Sequence, residues 1–211
     1  MKGGYEERLV SFIEKIPNDE EFVRSLEWFI GQINRAAMIS SLSQTLIKYT
    51  APGIPDLYQG TELWDISLVD PDNRRPVDYQ LRKNIFFEME NIDCKRALEE
   101  MESGLVKMYV IYHCLKVRRE NVEAFDVKGS YEPMSISGAK GENAVAFKRG
   151  GKIAAVAPRL LISAGDDWQD TAVELGGGKW MNEFTKQIFE GRAEMKNLLN
   201  DFPLALLVKE K

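Results

Sequence analysis

Between Tyr58 and Asp78 the chain gathers carboxylates, guanidinium groups, an amide and aromatic rings within a short reach. The run is Tyr58-Gln59-Gly60-Thr61-Glu62-Leu63-Trp64, followed by Leu68-Val69-Asp70-Pro71-Asp72-Asn73-Arg74-Arg75-Pro76-Val77-Asp78. Such a mixture suits a polyhydroxyl ligand: vicinal hydroxyls offer paired donors and acceptors to planar side chains, and the apolar faces of sugar rings stack on Tyr or Trp. A structural reading competes with it. Asp70-Pro71-Asp72-Asn73 is also good turn chemistry, and Arg74 or Arg75 could pin the loop to a neighbouring carboxylate.

The elements around this stretch must hold it. Asn18-Asp19-Glu20-Glu21 reads as a helix start with an Asn cap and an acidic first turn. Phe22, Leu26, Phe29, Ile30, Ile33 and Ala37 then recur at helical spacing, predicting one buried face. A second helix is expected over 40–49, stopped by Ala51-Pro52-Gly53, and Ile54-Pro55-Asp56-Leu57-Tyr58 is expected to be a buried strand that delivers Gln59 and Gly60 at its end. Further helices are expected over 78–89, 95–101 and 104–119.

Beyond about residue 120 the period changes. Asn143–Lys148 and 152–156 alternate around Arg149-Gly150-Gly151, a hairpin composition. A second hairpin is expected from 171–175 through Gly176-Gly177-Gly178 to 179–181, and 204–208 makes a last strand. The expected fold is α+β, with residues 1–120 helix-rich and 121–211 an antiparallel β-sandwich domain.

Bulk composition excludes several classes. Twenty-eight Lys+Arg against 33 Asp+Glu, interspersed along the chain, gives a net charge of −5 and disfavours nucleic-acid binding. No apolar run is long enough for a membrane span and Met1 to Glu7 carries no signal-peptide core, so a cytoplasmic protein is expected. Cys94 and Cys114 lack any CxxC spacing and read as free thiols; the sole histidine, His113, sits among helical apolar residues and reads as packed. Trp168 and Trp180 are weighed as glucan platforms or as core, and isolation from other aromatics favours core.

The Pro52-Gly53-Ile54-Pro55 run leading to Tyr58-Gln59-Gly60-Thr61-Glu62 resembles the region of the eighth barrel strand in the α-amylase superfamily, glycoside hydrolase family 13. With Asp70-Pro71-Asp72-Asn73-Arg74-Arg75-Pro76-Val77-Asp78, the string is most similar to the maltooligosyltrehalose synthase branch. Residues 34–53, Ala157-Pro158-Arg159-Leu160, Gly165-Asp166-Asp167-Trp168-Gln169-Asp170-Thr171 and 198–207 share the resemblance.

The resemblance implies that residues 1–120 are the last part of a (β/α)8 barrel, mainly helices plus one barrel strand. It implies an intramolecular transglycosylation that moves the reducing-end glucose of a malto-oligosaccharide from an α-1,4 to an α,α-1,1 linkage, with no metal or organic cofactor. Tyr58, Gln59 and Glu62 would line or brace the site floor, and Asp70, Asp72, Asn73, Arg74 and Arg75 would contact glucose units or fix the loop that does.

The resembled branch carries its nucleophile, acid/base and stabilising Asp on earlier barrel strands, so no catalytic residue is assigned to this chain. Thr-His-Asp and Asn-His-Asp runs are absent. A complete barrel takes typically ~250 residues, so the expectation is a split, truncated or excised piece, inactive alone, with Met1 an internal start or an added residue. Retaining glycosidase chemistry needs two carboxyl groups roughly 5 Å apart, and Glu62 with Asp70 is the pair the chain itself could offer. Alternatives are a non-catalytic carbohydrate-binding subunit that complements a partner carrying the missing N-terminal barrel part, and a piece of an α-amylase-type hydrolase.

Overall fold

The computed structural model describes residues 3–165 and 167–210; Met1 and Asp166, which figure in the expectations above, lie outside the described residues. The chain divides into two compact units, Met1–Met38 and Ile39–Lys211.

The first unit holds helix α1 (Gly3–Lys15) and the start of α2 (Glu20–Thr50). The cap of α2 is Asp19 rather than Asn18: its Oδ1 accepts from the backbone N–H of Glu21 at 3.1 Å and of Phe22 at 3.0 Å. Two expectations are corrected here. Residues 20–50 form one helix instead of two, since Ser40 to Ser43 contains no breaker. The periodic face is open, with Phe22, Leu26, Phe29 and Ile30 all exposed, because the unit supplies no further element to cover it.

In the second unit, α2 turns buried at Leu42, Leu46 and Tyr49. The expected strand over 54–58 does not form: the backbone is extended but finds no ladder partner among the described residues, and Ile54 is 97% exposed. A strand exists only through its neighbours, and apolar composition alone cannot supply them. Helices α3 (Tyr79–Glu88), α4 (Cys94–Glu99) and α5 (Leu105–Glu120) follow, close to the predicted spans, and a short helix α6 (Val122–Phe125), not among the expected ones, comes after them.

The strands are β1 (Tyr131–Pro133), β2 (Ile136–Ser137), β3 (Ala144–Arg149), β4 (Ile153–Pro158), β5 (Ala172–Asn182), β6 (Ile188–Glu194) and β7 (Ala205–Lys209). They form one hydrogen-bonded antiparallel sheet in the order β1-β3-β4-β7-β5-β2, with β6 paired to β5. The expected sandwich of two stacked sheets is therefore corrected. The stretch 131–137 pairs at its start with β3 and at its end with β5, and Met134 and Ser135 bridge the two through backbone bonds to Ala146 and Glu174. The sheet curls round on itself, enclosing Ala146, Ala154, Val156, Val173, Leu175, Trp180, Ala205 and Leu207.

The β3–β4 hairpin turns at Gly150 and Gly151 as predicted, both at positive φ. The second predicted hairpin is corrected: Gly176-Gly177-Gly178 lies inside β5, where register shifts between Glu174 and Lys179 mark bulges, and the hairpin partner is β6. Trp168 and Trp180 are buried in the sheet core, and His113 is buried on α5.

Helix α5 is fastened to the sheet by an aromatic cluster. The Tyr109 hydroxyl donates to the carbonyl of Phe184 at 2.8 Å, and the rings of Tyr109, His113, Phe184 and Phe202 lie 4.3 to 6.0 Å apart. Beside them Glu183, 5% exposed, receives Lys186 Nζ at 2.8 Å and lies 3.4 Å from His113 Nδ1.

Candidate functional site

The charged loop is anchored at both ends by arginines. At its entry, Arg118 on α5 donates to the carbonyls of Tyr49 at 3.0 Å and Gly53 at 3.3 Å, tying down the end of α2 where Pro52 and Gly53 stop it. At its exit, Asp78 caps α3 by accepting from Leu81 N–H at 2.8 Å, and Arg82 reaches back from the first turns of that helix. Its Nε donates to Glu62 Oε2 at 2.9 Å, Nη2 to the Gly60 carbonyl at 2.6 Å and Nη1 to the Asp78 carbonyl at 3.0 Å.

Between these anchors, Tyr58 and Thr61 close a turn. The Thr61 N–H and hydroxyl both donate to the Tyr58 carbonyl, at 3.1 and 2.7 Å. Leu63 is buried, and Trp64 packs instead of presenting its ring for stacking: its Nε1 donates to the Met101 carbonyl at 2.6 Å, and Lys107 Nζ sits over the ring while donating to the Leu63 carbonyl. Burial lowers the Lys107 pKa, with Lys48 nearby adding to the shift.

The acid and arginine residues pair with one another within the loop. Arg74 binds Asp70 through two donors, and Arg75 binds Asp72. Asp72 also accepts from Leu68 N–H at 2.7 Å; that bond first and Arg75 second hold its carboxyl below the usual range. Asp65 is lowered likewise, by the Ser67 hydroxyl and then the Ser67 N–H. The guanidinium groups remain largely open to solvent, so each keeps unused donors.

A cleft of about 240 Å³ lies against this loop, and of the predicted residues it brings together Gln59, Asn73 and Arg75. Tyr58, Asp70, Asp72 and Arg74 are not on its wall, and Glu62 lines a separate groove beside α3 and α5. Asn73 contributes a buried Oδ1 with no hydrogen-bond partner. Sequence reasoning missed Arg82, which lines both cavities, and Ser67, Asp65 and Lys107. Arg82 sits four residues after the capping Asp78, but nothing in the spacing connects it to Glu62, 20 residues earlier.

The arrangement is thus a helical segment leading through a self-paired charged loop into a curled antiparallel sheet, a class of C-terminal segment found within longer enzyme chains. No family model matches the sequence. A Mycobacterium tuberculosis H37Rv protein provisionally named maltooligosyl trehalose synthase is 34% identical over 193 residues, spanning 91% of this chain and 23% of that protein. The solved maltooligosyltrehalose synthase of Arthrobacter ramosus superposes with a TM-score of 0.87 at 34% identity, over 99% of this chain and 27% of that one. Another solved maltooligosyl trehalose synthase gives a TM-score of 0.80 at 29% identity. The chain is similar to a C-terminal portion of maltooligosyltrehalose synthases and spans about a quarter of the length of the relatives it matches.

Proposed function

We propose that this chain is the C-terminal portion of an α-glucan glucosylmutase of glycoside hydrolase family 13, which converts the reducing-end α-1,4 linkage of malto-oligosaccharides to α,α-1,1 in trehalose formation. The observation that carries the reading is the match to the A. ramosus synthase along nearly the whole chain, the charged loop included. In this reading residues 1–120 complete a (β/α)8 barrel whose catalytic carboxylates lie elsewhere in the enzyme, residues 121–211 cap it, and the work is cytoplasmic.

The loop's part is to hold glucose rather than to break bonds. Glu62 and Asp70 are both engaged by arginines, which suits support better than nucleophilic attack. The orphan Oδ1 of Asn73 would accept from a sugar hydroxyl, and the free donors of Arg75 together with Gln59 would take the neighbouring oxygens. Retention of the cleaved glucose until its anomeric hydroxyl re-attacks depends on such positioning.

The test replaces the matching quarter of the A. ramosus enzyme with this chain and supplies maltopentaose. Loss of reducing ends at constant glucose content is expected. A rise in reducing ends would move the reading to an α-amylase-type hydrolase, and a folded but inactive chimera would overturn it. The chain alone should convert nothing.

A further inference from the structure

One end of the curled sheet carries two lysines on a single ring. Along β3 the interior row of Ala144 and Ala146 continues to Lys148, and along β7 the row of Ala205 and Leu207 continues to Lys209. The register puts both at the same end: Lys148 pairs with Ala154, Ala154 with Leu207, and Lys209 with Trp180. Their ammonium groups lie 5.4 and 5.7 Å from the centroid of the Trp180 ring. An aromatic ring attracts a cation, but two cations on one ring repel each other. Carboxylates nearby are engaged elsewhere. Glu132, opposite Lys148, accepts from the Ser130 hydroxyl at 2.7 Å, Glu190 faces Lys179 at 4.0 Å and Glu174 faces Arg192 at 3.8 Å, so among the described residues neither ammonium group has an ion-pair partner.

The same place holds a donor without an acceptor: Trp180 is 1% exposed and its Nε1–H has no hydrogen-bond partner. Beside it β5 is bare backbone. Gly177 and Gly178 fall between the pairs Gly176–Gly191 and Lys179–Glu190 and stand opposite no residue of β6. Gly176 and Gly178 have φ of +77° and +93°, and a Cβ on Gly178 would lie 2.7 Å from Lys209 Cε. Glycine thus lets the lysines rest directly on a bulge whose N–H groups are released from the ladder, an arrangement that favours anions. From the two uncompensated ammonium groups, the orphan indole N–H and this bulge, we propose that this end of the sheet binds an oxyanion of the phosphate class, free or as the phosphoryl group of a larger ligand. Lys148 and Lys209 supply the charge, Gly177 and Gly178 the backbone donors, and the Trp180 N–H gains the acceptor it lacks. None of these residues belongs to the loop proposed to hold glucose, so the site stands independently of the mutase reading.

The test titrates the 15N-labelled full chain with potassium phosphate, using potassium chloride at matched ionic strength as the reference, and in parallel with glucose 6-phosphate against glucose. The indole N–H resonance of Trp180, assigned through backbone connectivities, is the readout. A saturable one-to-one shift is expected with the phosphate ligands and with neither reference. Lys148→Gln and Lys209→Gln should each weaken binding about tenfold and together remove it, Lys148→Arg should retain most of it, and Lys179→Gln should change nothing. Tighter saturation by glucose 6-phosphate identifies a phosphoryl ester as the ligand, and equal or tighter saturation by inorganic phosphate identifies the free ion. Circular dichroism checks that each variant keeps its fold, and the comparison of phosphate with chloride on the unsubstituted chain decides where one does not. Absence of saturation by both phosphate ligands overturns the proposal, as does a shift that chloride reproduces or one that survives the double substitution.

Discussion

Arg82 Nε donates to Glu62 Oε2 at 2.9 Å across 20 residues of sequence, with most of both side chains shielded from solvent. The same guanidinium holds the Gly60 and Asp78 carbonyls, so one side chain joins the two ends of the charged loop to the start of α3. A candidate substrate contact, Glu62, is through this pairing a structural member of the site.

Arg82→Met should therefore cost more than a surface ion pair. Removing it leaves a half-buried carboxylate and the Gly60 carbonyl without their donor, while the Asp78 carbonyl keeps the backbone N–H of residue 82, a loss of about 2 to 4 kcal/mol. Urea unfolding checks this, with Arg82→Lys expected to recover only part of the loss because it lacks the fork.

Gly104→Ala should be strongly destabilising. Its φ is +84°, and an added Cβ would lie 2.6 Å from the Trp64 backbone nitrogen, where the loop docks on the start of α5. Gly151→Ala, at φ +63° in the β3–β4 turn with open space around it, supplies the comparison. It should lose about 1 kcal/mol, and Gly104→Ala clearly more, with Trp64 fluorescence reporting the displaced loop.

Stability should fall in acid through Glu183. Burial raises the pKa of this carboxyl, but hydrogen bonds from His113 and Lys186 outweigh burial and bring it from its ordinary 4.5 down to about 2. Because the folded value is the lower one, the contribution is complete above 4.5 and disappears as pH drops toward 2. Glu183→Gln should flatten the urea midpoint across that window. An unchanged slope would show that other carboxylates carry the acid sensitivity.

The two thiols should separate kinetically. Cys114 is fully buried and its thiol is pushed up strongly by that burial, whereas Cys94 is half-buried and raised by burial and the nearby Asp93. A disulfide reagent should modify Cys94 in the native protein and Cys114 only with unfolding. Equal rates would mean that α5 opens locally.

Asn73→Ala should weaken binding of maltotriose to the chain about tenfold if the orphan Oδ1 accepts from a hydroxyl. Asp70→Ala, away from the cleft wall, should act on loop stability instead. Titration calorimetry alongside thermal unfolding distinguishes the two effects.

Local order was legible wherever short-range chemistry decides it. The helices expected over 78–89, 95–101 and 104–119 form close to those spans, and Gly150-Gly151 announces a hairpin, because helix starts and turns are settled within a few residues. The sugar-compatible composition of residues 58–78 and its family resemblance were likewise readable from residue types alone. Tertiary structure decided the rest. It alone determined that Gly176 to Gly178 bulge within β5 instead of turning, since a glycine run permits both and only β6 and β7 select one. It decided that Ile54 to Tyr58 stays unpaired, that the sheet closes through residues 131–137, and that Arg74 and Arg75 face Asp70 and Asp72 while Glu62 meets Arg82. Each of these is a partnership between distant or competing groups, and partner choice depends on which surfaces the whole chain brings together.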